Sequence, residues 1–407
     1  MSTAAAPTPV IAELALRGTA VLEQGLVPDA LLLIDGGDIL WAGPSARAPQ
    51  HQAERTLEHD GLILPGLVDL HCHGGGGASF PDAATSEDLL TAVREHRRHG
   101  TTSLVASLVT AEADTLRARV ADLARLAADG EIAALHLEGP FLSVARCGAQ
   151  NPAHIVDGDP DLVRELAQLA GGALATMTVA PEVKGAEEVI EALAEVGAVP
   201  SLGHTDGSSA QMTDALTRAR AELRREHGRS PLPTATHLFN GMRPIHHRDP
   251  GPALAALDAA AAGDLVVEVI ADGVHLDART VAHVFAIAAE QNVVLVTDAM
   301  AAAGMPDGQY RLGSLDVTVA SGVATLTGGS AIAGGTAHLL DVVRFAVTEA
   351  GVDLVRAVRA ASSVPAAVLG MQDRIGVLAP GRRADAVLVD SELAPITVLR
   401  AGVVVTD

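Results

Sequence analysis

The chain has 407 residues, 48% of them apolar and 19% charged, which supplies a buried core and excludes general disorder. Its 28 Lys+Arg against 50 Asp+Glu give a net charge of −22, which argues against nucleic acid or an anionic membrane as a partner, because either needs a basic footprint. Two cysteines, Cys72 and Cys147, are too few for a disulfide framework. Residues 1–25 lack a basic start followed by an apolar run, and no uninterrupted apolar stretch of about 18 residues suggests a membrane span. A cytoplasmic protein with no membrane partner is expected.

From the N-terminus, residues 10–62 carry short β-type runs (30–34, 39–42) broken by Gly36-Gly37, Gly43-Pro44 and Asp60-Gly61. The middle, 63–374, alternates apolar runs with longer amphipathic stretches. Eight strand candidates lie at 66–73, 101–107, 132–138, 174–180, 198–204, 234–238, 265–271 and 293–298, with helical patterns at 86–99, 111–129, 187–196, 211–226 and 280–291. Buried parallel strands read as nearly continuous apolar runs, and these do. Eight β/α units in about 250–300 residues is the size of a (β/α)8 TIM barrel. The glycines at 74–77 lack the GxGxxG spacing of a doubly wound sheet. Residues 375–407 return to short strands (386–389, 403–405). The predicted α/β architecture is therefore a barrel over 63–374 with a small β-sandwich domain built from 1–62 and 375–407.

Polar residues gather at the C-terminal ends of these strands: His71 and His73 on the first, Glu138 on the third, His204 on the fifth, His237 on the sixth, Asp298 on the eighth, with His275 after the seventh. In a barrel all of these face one mouth, where barrel active sites lie. His71 and His73 are two apart on a strand and share a face, which turns Cys72 toward the helix layer. A lone His-x-His is as readily a hydrogen-bonded core pair as a ligand pair. With Glu138, His204, His237 and Asp298 added, metal ligation is the better reading, and the mix of imidazole and carboxylate suits Zn²⁺, or Fe²⁺ or another transition metal, better than Mg²⁺. A metal beside a carboxylate implies hydrolysis, because the metal activates water and polarises a carbonyl while Asp298 relays the proton. His136 shares the face of Glu138 and is expected to make core hydrogen bonds. Lys184 is the only lysine and reads as a solvated loop residue.

The segment Pro65-Gly-Leu-Val-Asp-Leu-His-Cys-His73 resembles the opening strand of the amidohydrolase superfamily, in which a β domain built from both termini is typical. Further along, His136-Leu-Glu-Gly-Pro-Phe141, Leu202-Gly-His-Thr205, Thr236-His-Leu-Phe-Asn-Gly-Met242, Ala271-Asp-Gly-Val-His275 and Val296-Thr-Asp298 together resemble the N-acetylglucosamine-6-phosphate deacetylase family, over most of the chain and in that family's order.

The resemblance implies hydrolysis of N-acetyl-D-glucosamine 6-phosphate to D-glucosamine 6-phosphate and acetate. Glu138, His204 and His237 would hold a metal, His71 and His73 would allow a second, so one or two ions per subunit, and Asp298 would be the acid/base. It also implies substrate contacts at Ala149, Gln150, Asn240, Gly241, His275 and Ile332, with Arg248 reaching the phosphate in the neighbouring subunit of a homodimer. At Gln150 the family commonly has histidine, which is expected to bear on handling of the acetyl group. Cys147, in the same loop, reads as an ordinary thiol. The alternatives are another metal-dependent amidohydrolase acting on N-acyl amino acids or cyclic amides, which would not need the phosphate set, and a non-catalytic scaffold, which would not need every ligand position filled. Sugar isomerisation lacks a lysine base near a strand end.

Overall fold

The computed structural model describes residues 9–406. The ends of the predicted terminal unit, residues 1–8 and 407, lie outside the described residues. The expected barrel is present. Its eight strands are Leu67–Cys72, Thr101–Val109, Ala134–Glu138, Leu174–Val179, Val199–Leu202, Thr234–Ala235, Val266–Val269 and Val293–Leu295, each parallel to the next.

Alternation along the strands sorts their side chains. Leu137, Met177 and Val179 pack outward with Val120, Leu123, Leu166 and Leu193 of the surrounding helices. On the other half, Val267, Val269 and Leu295 pack with Leu257, Val281, Phe285 and Val343. Because successive strand residues point to opposite faces, an outward Leu137 puts His136 and Glu138 inside. Likewise Cys72 lies in the helix-side core with Phe80, Leu89 and Val93, so His71 and His73 face inward. The helix Ser86–Arg98 begins with a reciprocal cap between Thr85 and Asp88, and buries Leu89, Ala92 and Val93.

The terminal segments form one seven-stranded mixed sheet, in the order Val403–Val404, Pro395–Arg400, Ala386–Val389, His51–Pro65, Val10–Leu22, Gly25–Asp35, Asp38–Pro44. The sheet curls until Asp38 bridges Arg383, enclosing Leu16, Leu32, Ile34, Leu388 and Leu399. A single curled sheet thus buries a core as the two layers of a sandwich would. Among the elements with no counterpart in the sequence reading, a three-stranded antiparallel sheet, Gly308–Leu312, Leu315–Ala320 and Val323–Leu326, is inserted after the last barrel strand.

The later barrel strands are shorter than their apolar runs. His204, His237 and Asp298 have φ of 46°, 29° and 47°, in the left-handed region that bulky residues avoid. The backbone therefore leaves the sheet at the candidate site residues. The barrel closes between its first and last strands around Asp69, which is fully buried. Its Oδ2 accepts from the Thr297 hydroxyl at 2.6 Å, and its Oδ1 from the Thr297 and His71 amides, both at 3.3 Å. The Asp298 amide donates to the His71 carbonyl at 2.9 Å, and the His73 amide to that of Ala299 at 2.7 Å. Burial pushes the Asp69 carboxyl up to about 6, even with these donors.

Thr297→Val keeps the side-chain shape and removes the hydroxyl that Asp69 needs. The expected loss is about 1–3 kcal/mol, read as a lower urea midpoint. An unchanged midpoint would mean that this clasp does not hold the barrel shut.

Candidate active site

The structure brings Glu138 and four histidines together at the barrel mouth, all at most 5% exposed. Glu138 Oε1 lies 2.9 Å from His204 Nε2 and 2.8 Å from His237 Nε2. Its Oε2 lies 3.1 Å from His73 Nε2 and 3.7 Å from His71 Nε2. Asp298 Oδ1 is 3.3 Å from both His71 Nε2 and His73 Nε2. One carboxylate thus sits between two imidazole pairs, and a second caps one of them.

The outer ring nitrogens decide what the inner ones offer. His71 Nδ1 is 3.1 Å from Glu268 Oε2, His73 Nδ1 is 3.2 Å from the Ser107 carbonyl, and His204 Nδ1 is 2.7 Å from the Arg146 carbonyl. Each partner only accepts, so each Nδ1 carries hydrogen, and a neutral ring then points the Nε2 lone pair inward. Inside, His71 Nε2 and His73 Nε2 are 3.0 Å apart, and those of His204 and His237 3.2 Å. Two lone pairs this close repel, and either a proton on one ring, which also pairs with the carboxylates, or a metal ion relieves them. His237 Nδ1 is buried without a partner, as in a ring whose orientation is set from its other side. The donors form two sets, His71–His73–Glu138–Asp298 and Glu138–His204–His237, with the ligand atoms of each within 4.8 Å of one another. Imidazoles and carboxylates in such sets fit a divalent transition metal.

The electrostatics agree. Burial opposes ionisation of Glu138, but His71, His204 and His237 outweigh it and hold the carboxyl well below its ordinary range. Burial likewise opposes ionisation of Asp298, and His71 and His73 hold it below its usual value. Against the same desolvation, the carboxylates raise His71, His73 and His204. A site that draws protons onto its imidazoles is one that a metal ion can enter by replacing them.

A cavity of about 300 Å³ opens over this cluster, with Gln150, Asn240, Gly241, His275 and Ile332 in its wall. His275 is oriented by Asp272, whose Oδ2 lies 2.8 Å from its Nδ1, and its Nε2 is 3.9 Å from Asp298 Oδ2. Gly241, at φ 59°, sits so close that a Cβ would lie 2.9 Å from His204 Nδ1, and only glycine fits there without displacing the ring. Ala149 packs beside the cavity against the inserted three-stranded sheet. Arg248 is not in the cavity wall; it is exposed beside His247, 2.9 Å from its Nε2, while Asp249 pairs with Arg243 instead.

Two other residues weighed from sequence do not reach the cavity wall. Lys184 is exposed and pairs with Asp157 at 3.7 Å. His136 spans the Ser107 and Thr178 hydroxyls at 3.0 and 2.9 Å, and burial pushes it well below its usual value, so it stays neutral. The sequence reading missed Leu312, which enters the cavity wall from the inserted sheet. Its signal was the alternation around the turn residues Gly313 and Ser314.

The amidohydrolase family description matches residues 62–406. The chain is 31% identical over 390 residues to the N-acetylglucosamine-6-phosphate deacetylase of Bacillus subtilis (strain 168), covering 94% of each chain. It is 32% identical over 376 residues to the N-acetylgalactosamine-6-phosphate deacetylase of Escherichia coli O157:H7, covering 91% of this chain and 93% of that one. Among solved structures, the N-acetyl-D-glucosamine-6-phosphate deacetylase of Mycobacterium smegmatis matches with a TM-score of 0.87 and 39% identity, over 97% of this chain and 100% of that one.

The donor sets exist only in the folded chain, so bound metal stabilises it. Stripping with a chelator is expected to lower the thermal midpoint, and added Zn²⁺ to restore it. A midpoint indifferent to both treatments would contradict a metal site here.

Proposed function

The chain belongs to the amidohydrolase family, and from that membership we propose that it hydrolyses N-acetyl-D-glucosamine 6-phosphate to D-glucosamine 6-phosphate and acetate. The observation that carries this reading is the coincidence of two metal-capable donor sets, a carboxylate at their edge and a cavity of sugar size at one barrel mouth. Deacetylase relatives matched over nearly the whole chain supply the substrate class. An N-acetylgalactosamine 6-phosphate substrate is the second reading, supported by the relative of that name.

Glu138, His204 and His237 would hold one divalent ion, and His71 and His73, sharing Glu138, a second. We assign Zn²⁺, with Fe²⁺ or another transition metal as alternatives, and one or two ions per subunit. When bound, such an ion polarises the acetamide carbonyl and makes water more acidic. Asp298, held as a carboxylate, takes the proton of the attacking water and returns it to the departing sugar amine. His275, fixed by Asp272, faces the same space and orients the substrate. The Gly241 backbone N–H and the Asn240 side chain are assigned to the sugar phosphate, the Asn240 backbone N–H being already donated to the His237 carbonyl at 2.9 Å, and Ala149 and Ile332 contact the sugar.

Arg248 lies outside its own cavity and is free to serve a neighbouring one. We assign it to the phosphate of the partner subunit in a homodimer, where guanidinium suits bidentate binding. We divide the chain into a terminal β unit of 1–62 and 375–407 and a catalytic barrel of 63–374. Among the described residues no helix is long and apolar enough to cross a membrane. Both thiols are free, which fits a reducing, cytoplasmic setting.

The test is acetate release from N-acetylglucosamine 6-phosphate, N-acetylgalactosamine 6-phosphate, unphosphorylated N-acetylglucosamine and an N-acetyl amino acid. The phosphorylated glucosamine derivative is expected to be the preferred substrate, and Asp298→Asn to lower kcat by about 10²–10⁴-fold. Preference for an unphosphorylated amide would discard the substrate, and an undiminished Asp298→Asn rate would discard the proton relay.

A further inference from the structure

Building on that deacetylase reading, we propose that Gln150 is a positioning residue for the metal site: it anchors the Glu138 oxygen that faces His71 and His73. The family resemblance made Gln150 a substrate contact whose departure from histidine bears on handling of the acetyl group. The geometry gives its side chain other work. Gln150 is 4% exposed, its Oε1 accepts from the Thr110 backbone amide at 2.7 Å, and its Nε2 donates to Glu138 Oε2 at 2.6 Å.

The orientation of the amide is forced. A backbone N–H requires an acceptor, so the oxygen end of Gln150 must face Thr110, and the NH₂ end then faces the carboxylate. Thr110 follows the second barrel strand, and its hydroxyl donates to the Glu138 carbonyl at 2.9 Å. Gln150 also donates its own backbone N–H to the Cys147 carbonyl at 2.8 Å. Thr110, Glu138 and Gln150 thereby link the ends of two strands to the loop that carries Cys147 and Ala149.

The two oxygens of Glu138 depend on this link unequally. Oε1 is held by two imidazoles at 2.8 and 2.9 Å whatever residue stands at 150. Oε2 has Gln150 as its shortest contact, with His73 and His71 farther off at 3.1 and 3.7 Å. Without the amide, Oε2 is free to turn away from the first-strand histidines while Oε1 stays in place. Glutamine meets the need because it donates without charge. A cation at this position would offset the negative charge that a metal requires, and a carboxylate would repel Glu138.

Zn²⁺ titration of chelator-stripped wild type, Gln150→Leu and Gln150→Met, against a chromophoric competitor, tests this directly. Far-UV circular dichroism and the metal-free unfolding midpoint check that each variant folds, and the unbranched methionine keeps the volume of glutamine. Where the wild type binds two ions, the variants are expected to weaken one class of site about 10–100-fold and leave the other within about 3-fold. Where it binds one, the response follows the site: an ion lost in His73→Ala is expected to weaken by the same range, and one kept in His73→Ala, held from the Oε1 side, to stay within about 3-fold. In either case kcat falls while KM for the phosphorylated sugar stays within about 2-fold. Unchanged Zn²⁺ binding with a shifted KM or acyl preference would overturn the proposal and return Gln150 to substrate recognition. Equal weakening of two classes of site would overturn it too, since Oε1 would then depend on Gln150 as much as Oε2. The Zn²⁺ readout involves no sugar, so failure of the substrate assignment appears separately, as a wild type that binds metal and releases no acetate.

Discussion

A carboxylate at the centre of a protein must be compensated, and Glu138, 3% exposed, is compensated from two sides at once. His204 and His237 converge on one oxygen, and His73 and Gln150 on the other. Leaving a buried charge unpaired costs several kcal/mol, so this arrangement constrains the surrounding backbone as much as the chemistry. Each imidazole must present Nε2 inward, and three of the four are turned that way by an acceptor behind them. The supporting acceptors come from a strand, a loop and a buried glutamate, which makes the site a property of the whole barrel mouth.

The barrel accommodates this centre by giving up regular structure where the functional side chains emerge. His204, His237 and Asp298 all adopt positive φ, a conformation that persists only where surrounding contacts fix it. Asp69 and Thr297 supply one such set of contacts at the seam between the first and last strands, immediately beside His71 and Asp298. The small residues nearby serve the same end. Gly241 lets the backbone pass against His204, and Gly335 approaches the Thr297 carbonyl so closely that a Cβ would lie 2.5 Å from it.

Much of this was legible in the chain because period-two alternation is a strong signal. Leu137 against the helices implies Glu138 in the mouth, and Cys72 against the helices implies His71 and His73 there. The ends of the strands were not legible. The strand candidates read through 204, 238 and 298, and although His and Asp enter the left-handed region more readily than most residues, residue type alone does not mark where each turn falls. The terminal sheet read as a sandwich because both bury one face of their strands, and it is the pairing of all seven strands into one sheet that distinguishes them. Gln150 drew notice only because the family resemblance led to an expected histidine there. Its tie to Thr110, 40 residues earlier, rests on tertiary geometry that no local pattern carries.

Anomalous diffraction from crystals of the Zn²⁺-loaded protein tests whether Glu138 organises the proposed metal-dependent hydrolytic centre. A Zn²⁺ peak is expected beside Glu138, His204 and His237, with any second peak beside His71, His73 and Glu138. Among the described residues another mixed cluster, Glu95, His99 and His338, has ligand atoms comparably close together. A peak there with none at Glu138 would mean that Glu138 does not organise a metal centre.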